Sequence, residues 1–87
     1  MTLEVRFKPS FVRAVKHLEK DLYEEVLEKI ELFKNETNCE SLKVHKLHGP
    51  LSDRWSFSVN YKTRIVFQYE SKSIAVFLAI GDHDVYK

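Results

Sequence analysis

The sequence predicts an α+β domain in two layers, with helices packed on one face of a β-sheet. Apolar residues recur at helical spacing over residues 11–33, alternate with polar residues over 54–69, and run without interruption over 74–80. The predicted order is an N-terminal strand, a helical hairpin and an antiparallel three-stranded meander. Two helices in sequence beside four strands fit one sheet with one covered face.

Length and composition predict a single domain over residues 1–87 and exclude several classes of protein. The net charge of +1 gives no strongly basic surface overall, although residues 43–87 carry seven Lys/Arg against four Asp/Glu. Cys39 is the only cysteine, which excludes an internal disulfide and a cysteine zinc site and favours a reducing cytoplasm. No apolar run approaches the ~20 residues that span a bilayer. We therefore expect a cytoplasmic protein with no membrane partner.

The N-terminal half predicts a strand followed by two amphipathic helices. Alternating apolar residues over 3–7 predict the strand, and Ser10 is the expected N-cap of the first helix. Asp21 and Glu24 resemble a capping box that begins the second helix. Each helix has one apolar stripe at i, i+3, i+4 and i+7 spacing: Phe11, Ala14, Val15 and Leu18, then Tyr23, Val26, Leu27, Ile30 and Phe33.

The C-terminal half predicts the meander. Residues 35–43 read as a loop, and Val44–Leu47 form either a brief strand or a lead-in. In the next two strands, the side chains expected to face the helices are Trp55, Phe57, Val59, Ile65, Phe67 and Tyr69. Those expected on the other, uncovered and largely polar face are Arg54, Ser56, Ser58, Arg64 and Gln68. The entirely apolar run Ile74–Ile80 predicts a strand buried on both faces.

Arg64, His83 and Tyr86 are the candidate functional residues that this arrangement suggests. Arg64 stands on the uncovered face, and a glycine, two acids, His83 and Tyr86 follow the last strand. Arginine binds two phosphate oxygens with its planar fork, and histidine, with an unperturbed pKa of ~6.5, serves as acid or base. This grouping suggests phosphate chemistry without a metal. The alternatives are a solvated cross-strand arginine, a plain turn histidine and a tyrosine that only packs against the sheet.

The remaining histidines carry weaker signals. His45 precedes the meander and borders the uncovered face, whereas His17 lies on a polar helix side and reads as a surface residue. His45 and His48 project to opposite sides of an extended chain, so we expect no shared metal and no cofactor.

The chain resembles the RelE/ParE superfamily of small toxins from bacterial type II toxin–antitoxin pairs. The resemblance covers nearly the whole chain and rests on four segments: Ser10–Leu18, Leu42–Gly49, Trp55–Phe67 and Ile80–Lys87. It implies a RelE-like two-layer domain. Most members of this superfamily cut mRNA, commonly on the ribosome, whereas the ParE branch inhibits DNA gyrase.

The resemblance also implies roles and partners. Arg64 matches an arginine that holds the scissile phosphate, and His83 matches a catalytic C-terminal residue. Tyr86 matches an aromatic residue used in catalysis or base stacking, and His45 a histidine before the sheet. Cations expected to attract the RNA backbone are Lys43, Lys46, Arg54 and Lys62. The implied partners are a cognate antitoxin and mRNA in the ribosomal A site. The alternatives are a ParE-like gyrase inhibitor and an inactive binding member of the same fold.

Overall fold

The fold is a five-stranded sheet covered on one face by two helices. A computed structural model describes residues 3–35, 42–47 and 53–82. The elements are β1 (Glu4–Phe7), α1 (Pro9–Lys16), α2 (Lys20–Lys34), β2 (His45–Lys46), β3 (Trp55–Ser58), β4 (Arg64–Ser71) and β5 (Ile74–Gly81). The strands lie in the order β1-β5-β4-β3-β2. The predicted α+β fold class is confirmed, with a sheet that has one more strand than the pattern required.

The sheet combines the predicted meander with one parallel pairing. β3, β4 and β5 are antiparallel neighbours, as expected. β1, whose partner the sequence left open, lies parallel to β5 with Val5 opposite Ala75. β2 pairs with β3 through His45 opposite Ser56, so the segment before the meander is a brief strand. β1 and β2 are therefore the edge strands of the described sheet.

Both predicted helix caps are wrong by two residues. α1 begins at Pro9 after the N-cap residue Lys8, so Ser10 lies inside the helix and not at its cap. Proline favours the first helical turn because its fixed φ suits the helix and its missing N–H has no partner there. α2 begins after Glu19, which leaves Asp21 in the first turn, where a carboxylate favours the positive end of the helix dipole. Neither helix is long and apolar enough to cross a membrane, within the residues that the structure describes.

Four phenylalanines form the centre of the core. The ring centroid of Phe33 on α2 lies 4.7 Å from that of Phe57, 4.8 Å from that of Phe67 and 5.3 Å from that of Phe77. These partners come from three adjacent strands, and all four rings are essentially excluded from solvent. One residue of α2 therefore packs against three strands at once, which fixes the helix over the middle of the sheet.

The predicted alternation is confirmed on the face that packs against the helices, and the other face is less open than expected. Phe57, Ile65 and Phe67 are fully buried under the helices. On the opposite side, named here the open face, Ser56 and Val66 are also buried, with 0 % and 3 % of their surface exposed. The centre of the sheet is thus buried on both faces, and the exposed polar groups of the open face surround it.

The prediction that β5 is buried on both faces is wrong. Ala75 and Phe77 are buried against the helices, but Val76, Leu78 and Ala79 keep partial exposure. Both helices pack on one face, and in the described part of the chain no further layer lies over the open face. This entirely apolar strand lies inside the sheet, between β1 and β4.

Part of the apolar stripe of α2 remains exposed. Tyr23 and Leu27, which the spacing places with the core, are 37 % and 44 % exposed. They line a cavity of about 280 Å³ with Phe7, Val12 and the buried Phe11 and Val15. We name these six residues the apolar groove. The groove lies between the two helices beside edge strand β1.

The four-phenylalanine contact predicts a large stability effect at Phe33. Replacing Phe33 with Ala is expected to lower the free energy of unfolding by about 3–5 kcal/mol, because it removes a buried ring and leaves a cavity. Urea denaturation of the purified protein measures this change. Tyr61→Ala is the control, since Tyr61 is 81 % exposed, and its cost should stay within about 0.5 kcal/mol. Equal costs for both variants would contradict the central position of Phe33.

Candidate functional site

Arg64 begins β4 and stands between small neighbours on the open face. It lies opposite Ser58 of β3 and opposite Gly81, the last residue of β5. Side chains at paired positions extend to the same face of a sheet. Because serine is short and glycine has no side chain, the row leaves space beside the half-buried Arg64.

One nitrogen of Arg64 is held by backbone carbonyl groups. Its Nη1 donates hydrogen bonds to the carbonyl oxygens of Asn60, at 2.5 Å, and Thr63, at 3.3 Å. Both acceptors belong to the turn that joins β3 to β4. The guanidinium is thus anchored to the turn at one corner, which limits its rotation on the sheet.

The remaining donors of Arg64 form a usable edge. Nε and Nη2 make no hydrogen bond to a residue in the described ranges, and Arg64 makes no ion pair there. These two nitrogens lie on one side of the planar group, with their N–H bonds nearly parallel. That geometry matches two oxygens of a carboxylate or phosphate, and a bidentate contact of this kind is strong and directional.

The other arginines that form ion pairs differ in their surroundings. The Nε of Arg6 lies 2.7 Å from Glu4, and its Nη1 lies 3.3 Å from Glu70. The hydrogen bond that Arg6 donates to Glu4 and the charges of Glu4 and Glu70 raise the pKa of Arg6. Arg54 lies 4.0 Å from Asp53. Carboxylates thus offset the charge of Arg6 and part of that of Arg54, whereas the partners of Arg64 are neutral carbonyl oxygens.

His45 lies on the same face, and a contact with a backbone carbonyl oxygen shows which of its ring nitrogens carries a proton. It pairs with Ser56 across β2 and β3, and its Nδ1 lies 2.9 Å from the carbonyl oxygen of Lys43. A carbonyl oxygen only accepts, so Nδ1 carries a proton, and in the neutral ring Nε2 carries the lone pair. Lys43 has a φ of 57°, an uncommon value for a residue other than glycine. The left-handed conformation of Lys43 thus accompanies the bond that orients His45.

Arg64 and His45 lie near each other on the open face. Two strand spacings across the sheet and two residues along β4 separate their Cα atoms, roughly 12 Å in all. Both side chains extend from the same face, and each reaches several Å from its Cα. The structure therefore brings together Arg64 and His45 among the residues that the sequence selected.

The other predicted cations do not converge as a group. Arg54 precedes β3 near Gln68, whose amide donates to Asp53 at 3.1 Å. Lys46 pairs with Trp55, so its side chain extends to the face opposite that of His45. Lys62 lies in the β3–β4 turn, beside a groove of about 590 Å³ lined by five carboxylates: Glu19, Asp21, Glu24, Glu25 and Glu28. Arg54 alternates with Ser56 and so extends to the open face, and Lys43 precedes β2, where its carbonyl oxygen contacts His45.

Three predicted or weighed residues, His48, His83 and Tyr86, lie outside the described residues. Gly81 ends β5 opposite Arg64, so His83 follows in the sequence two residues after the partner of Arg64. Among the described side chains, no group of three or more His, Cys, Asp or Glu has the arrangement of a metal site.

Asn60 is a site residue that the sequence reasoning missed. Its side-chain Oδ1 accepts hydrogen bonds from the backbone N–H groups of Lys62, at 2.9 Å, and Thr63, at 2.8 Å. Its Nδ2 donates to Glu25 of α2 at 2.8 Å. The signal was present, because asparagine at the start of a turn between two strands commonly bonds to the backbone ahead of it.

Comparisons with known proteins support the fold through structure and not through sequence. No protein-family model matches the chain. A comparison with curated protein sequences also finds no match.

Several solved structures have the same fold over nearly the full chain. A chain of the archaeal RelE–RelB complex from Pyrococcus horikoshii OT3 is 23 % identical, over 94 % of this chain and 96 % of its own, at a TM-score of 0.74. A chain of the RelBE2 toxin–antitoxin complex from Mycobacterium tuberculosis is 19 % identical, over 95 % and 100 %, at 0.73. A chain of the YoeB–YefM complex from Staphylococcus aureus is 18 % identical, over 95 % and 99 %, at 0.73. These likenesses confirm the resemblance at the level of a RelE-like fold.

The contact of His45 predicts an unusual tautomer. When its ring is neutral, we expect the proton on Nδ1, because the carbonyl oxygen of Lys43 holds it there, whereas a solvated neutral histidine favours Nε2–H. Two-bond ¹H–¹⁵N correlation spectra distinguish the tautomers. His17, an exposed residue directly after α1, is the control. A predominant Nε2–H form in His45 at high pH would contradict the assigned contact.

Proposed function

We propose that this protein is the toxin of a type II toxin–antitoxin pair, an endoribonuclease that cleaves mRNA in the ribosomal A site in the cytoplasm. The observation that carries the proposal is the guanidinium of Arg64, anchored through Nη1 with its Nε/Nη2 edge on the open face. The RelE-like fold supports it, because solved structures of that fold include the toxin–antitoxin complexes RelE–RelB and YoeB–YefM. The proposal assigns the open face to RNA.

RNA supplies its own nucleophile, so the protein needs only a base, an acid and a cation. The 2′-oxygen attacks the adjacent phosphorus and loses its proton to the base. The bond from phosphorus to the 5′-oxygen breaks, and the acid protonates that oxygen. The products are a 2′,3′-cyclic phosphate and a 5′-hydroxyl. None of these steps requires a metal or a cofactor.

Arg64 stabilises the transition state in this scheme. Negative charge accumulates on the two non-bridging phosphate oxygens, and the Nε/Nη2 edge of Arg64 matches two such oxygens in spacing and direction. A donor already in place needs little reorganisation when the charge develops, and one such donor supplies on the order of 3 kcal/mol in other enzymes.

The histidines and Tyr86 complete the proposed chemistry. His83 acts as general acid or base; it follows in the sequence two residues after Gly81, the partner of Arg64. His45, with its lone pair on Nε2 in the neutral form, shares proton transfer or orients the RNA. Tyr86 stacks on an unpaired base, as aromatic residues do in single-stranded RNA recognition.

The backbone of the RNA meets a positive surface. The second half of the chain, residues 43–87, carries a net charge of +3 from seven Lys/Arg and four Asp/Glu. Lys43, Lys46, Arg54 and Lys62 belong to this half. We assign to Lys43 and Arg54 the attraction of phosphates at the open face, which depends on salt and not on sequence. Lys46 and Lys62 lie away from that face and contribute to the net charge alone.

The antitoxin partner is assigned to surfaces that the fold leaves accessible. The apolar groove exposes Phe7, Val12, Tyr23 and Leu27, and a segment with an apolar stripe fits such a groove. Edge strand β1 lies beside it, and edge strands accept an added strand from a partner. Co-expression with a product of the neighbouring gene tests this partner by recovery of a stable complex.

Arg64→Ala is expected to abolish growth arrest and to slow RNA cleavage by about 10²–10³-fold, the usual cost of a lost oxyanion donor. The measurement is single-turnover cleavage of saturating RNA with chelator present, with and without ribosomes. The wild-type protein should cleave under these conditions and should leave gyrase supercoiling unaffected. Gyrase inhibition without RNA cleavage would instead support the ParE-like alternative.

Two controls separate a catalytic loss from a folding loss in this variant. Arg13→Ala removes an exposed arginine from α1 and should behave as the wild type. Arg64→Ala itself should remain folded, with an unfolding free energy lower by about 1–3 kcal/mol for two lost charge-assisted hydrogen bonds. Full growth arrest by a soluble Arg64→Ala protein would contradict the proposal.

His83→Gln tests proton transfer. Loss of a positioned acid or base is expected to slow the cleavage step by about 10²–10⁴-fold and to weaken RNA binding far less. His17→Gln is the matched control, because it makes the same change at an exposed residue directly after α1. A wild-type rate in His83→Gln from pH 5.5 to about 8.5 would remove His83 from the mechanism and leave His45 and Tyr86 as candidates.

A further inference from the structure

The turn between β3 and β4 is built on one side chain. Asn60 takes part in hydrogen bonds through its side chain and its backbone: Oδ1 accepts from two backbone N–H groups, Nδ2 donates to Glu25, and the carbonyl oxygen accepts from Arg64. Residues 60–63 also close through the backbone, where the N–H of Val59 donates to the carbonyl of Thr63 at 2.9 Å. The conformation of this turn therefore depends on where the amide of Asn60 lies.

The orientation of that amide is determined by its partners. Lys62 and Thr63 offer N–H donors, so the atom facing them must be the oxygen. The NH₂ group then faces the half-buried carboxylate of Glu25, which accepts. Aspartate would satisfy the two N–H groups but would set a second carboxylate against Glu25. Asparagine supplies the acceptor and the donor together in a short side chain.

The same turn provides both acceptors for Arg64. The carbonyl oxygens of Asn60 and Thr63 hold Nη1, and the side chain of Asn60 fixes the backbone at both of these residues. When Nη1 is fixed, the direction of the opposite Nε/Nη2 edge is fixed too, because the guanidinium is planar. A chain of contacts thus runs from Glu25 on α2 through Asn60 to the donor edge on the open face.

We propose that Asn60 is a positioning residue for Arg64, and that Glu25 holds Asn60 in the conformation that aims the Nε/Nη2 edge at an RNA phosphate. The proposal rests on the function proposed above. Neither residue touches the substrate; both act through the direction of the guanidinium. Displacement of a reacting group by about 1 Å is enough to cost on the order of 10²-fold in rate.

A reversal of the hydrogen bond between residues 60 and 25 tests this role. Asn60→Asp keeps the acceptor for the turn but opposes Glu25, and should lower kcat/KM by about tenfold to a hundredfold. Adding Glu25→Gln should restore kcat/KM to within about twofold of the wild type, because the introduced amide then donates to the introduced carboxylate. Glu28→Gln is the matched control, because it also removes one negative charge from α2. Glu28 lines the carboxylate-lined groove beside Lys62, as Glu25 does, but it makes no hydrogen bond to Asn60.

Two results of this series would overturn the proposal. Equal rescue of Asn60→Asp by Glu28→Gln would show that net charge, and not the hydrogen bond, causes the loss. An undiminished effect of Asn60→Asp in an Arg64→Ala background would show that Asn60 does not act through Arg64. The expected result is specific rescue by Glu25→Gln and no further loss in the Arg64→Ala background.

A second readout separates this proposal from the proposed function. In NMR spectra of the protein without RNA, the Nε–Hε signal of Arg64 should be well dispersed, because the hydrogen bonds of Nη1 hold the guanidinium in one orientation. Asn60→Asp should broaden it or move it towards the position of a solvated arginine, and the added Glu25→Gln should restore it. If the wild type cleaves no RNA, the proposed function fails, yet this signal still decides the positioning role. An unchanged signal in Asn60→Asp would overturn the role.

Discussion

The contact of Phe33 with three phenylalanines is the constraint on which the rest of the structure depends. Its ring lies within 5.3 Å of rings from β3, β4 and β5, so α2 has one position over the sheet. With α2 in that position, Glu25, two turns before Phe33, meets the turn after β3 at Asn60. The hydrophobic packing of one face thus sets a polar contact at the end of the sheet, and that contact borders the open face.

The two faces of the sheet have different roles. The helix-covered face supplies stability through aromatic burial, while the apolar groove between the helices exposes Tyr23 and Leu27 to a partner. The open face carries Arg64 and His45 on neighbouring rows, with small residues beside the arginine. The proposed site needs few protein groups. The reacting 2′-hydroxyl belongs to the RNA, and the protein supplies charge, proton transfer and a fixed direction.

The sequence predicted the features that follow from periodicity. Alternation placed Phe57 and Phe67 under the helices and Arg64 on the other face, and these positions are confirmed. It did not predict the parallel partner of β1 or the partial exposure of β5, since both depend on the order of strands in the sheet. The sequence also did not predict the hydrogen bonds of Asn60 and Arg64, because the first joins the turn to a helix residue 35 positions away and the second depends on the conformation of that turn.

The most direct measurement of the central claim follows the Nε–Hε signals of the four arginines in NMR spectra during titration with an RNA whose 2′-hydroxyl groups are methylated. Methylation removes the nucleophile and leaves the phosphates. We expect the Arg64 signal to move most on binding and the Arg54 signal to move less. The signals of Arg6 and Arg13 should stay where they are in the protein without RNA. Saturable binding that leaves the Arg64 signal unmoved would contradict the assignment of the open face to an RNA phosphate.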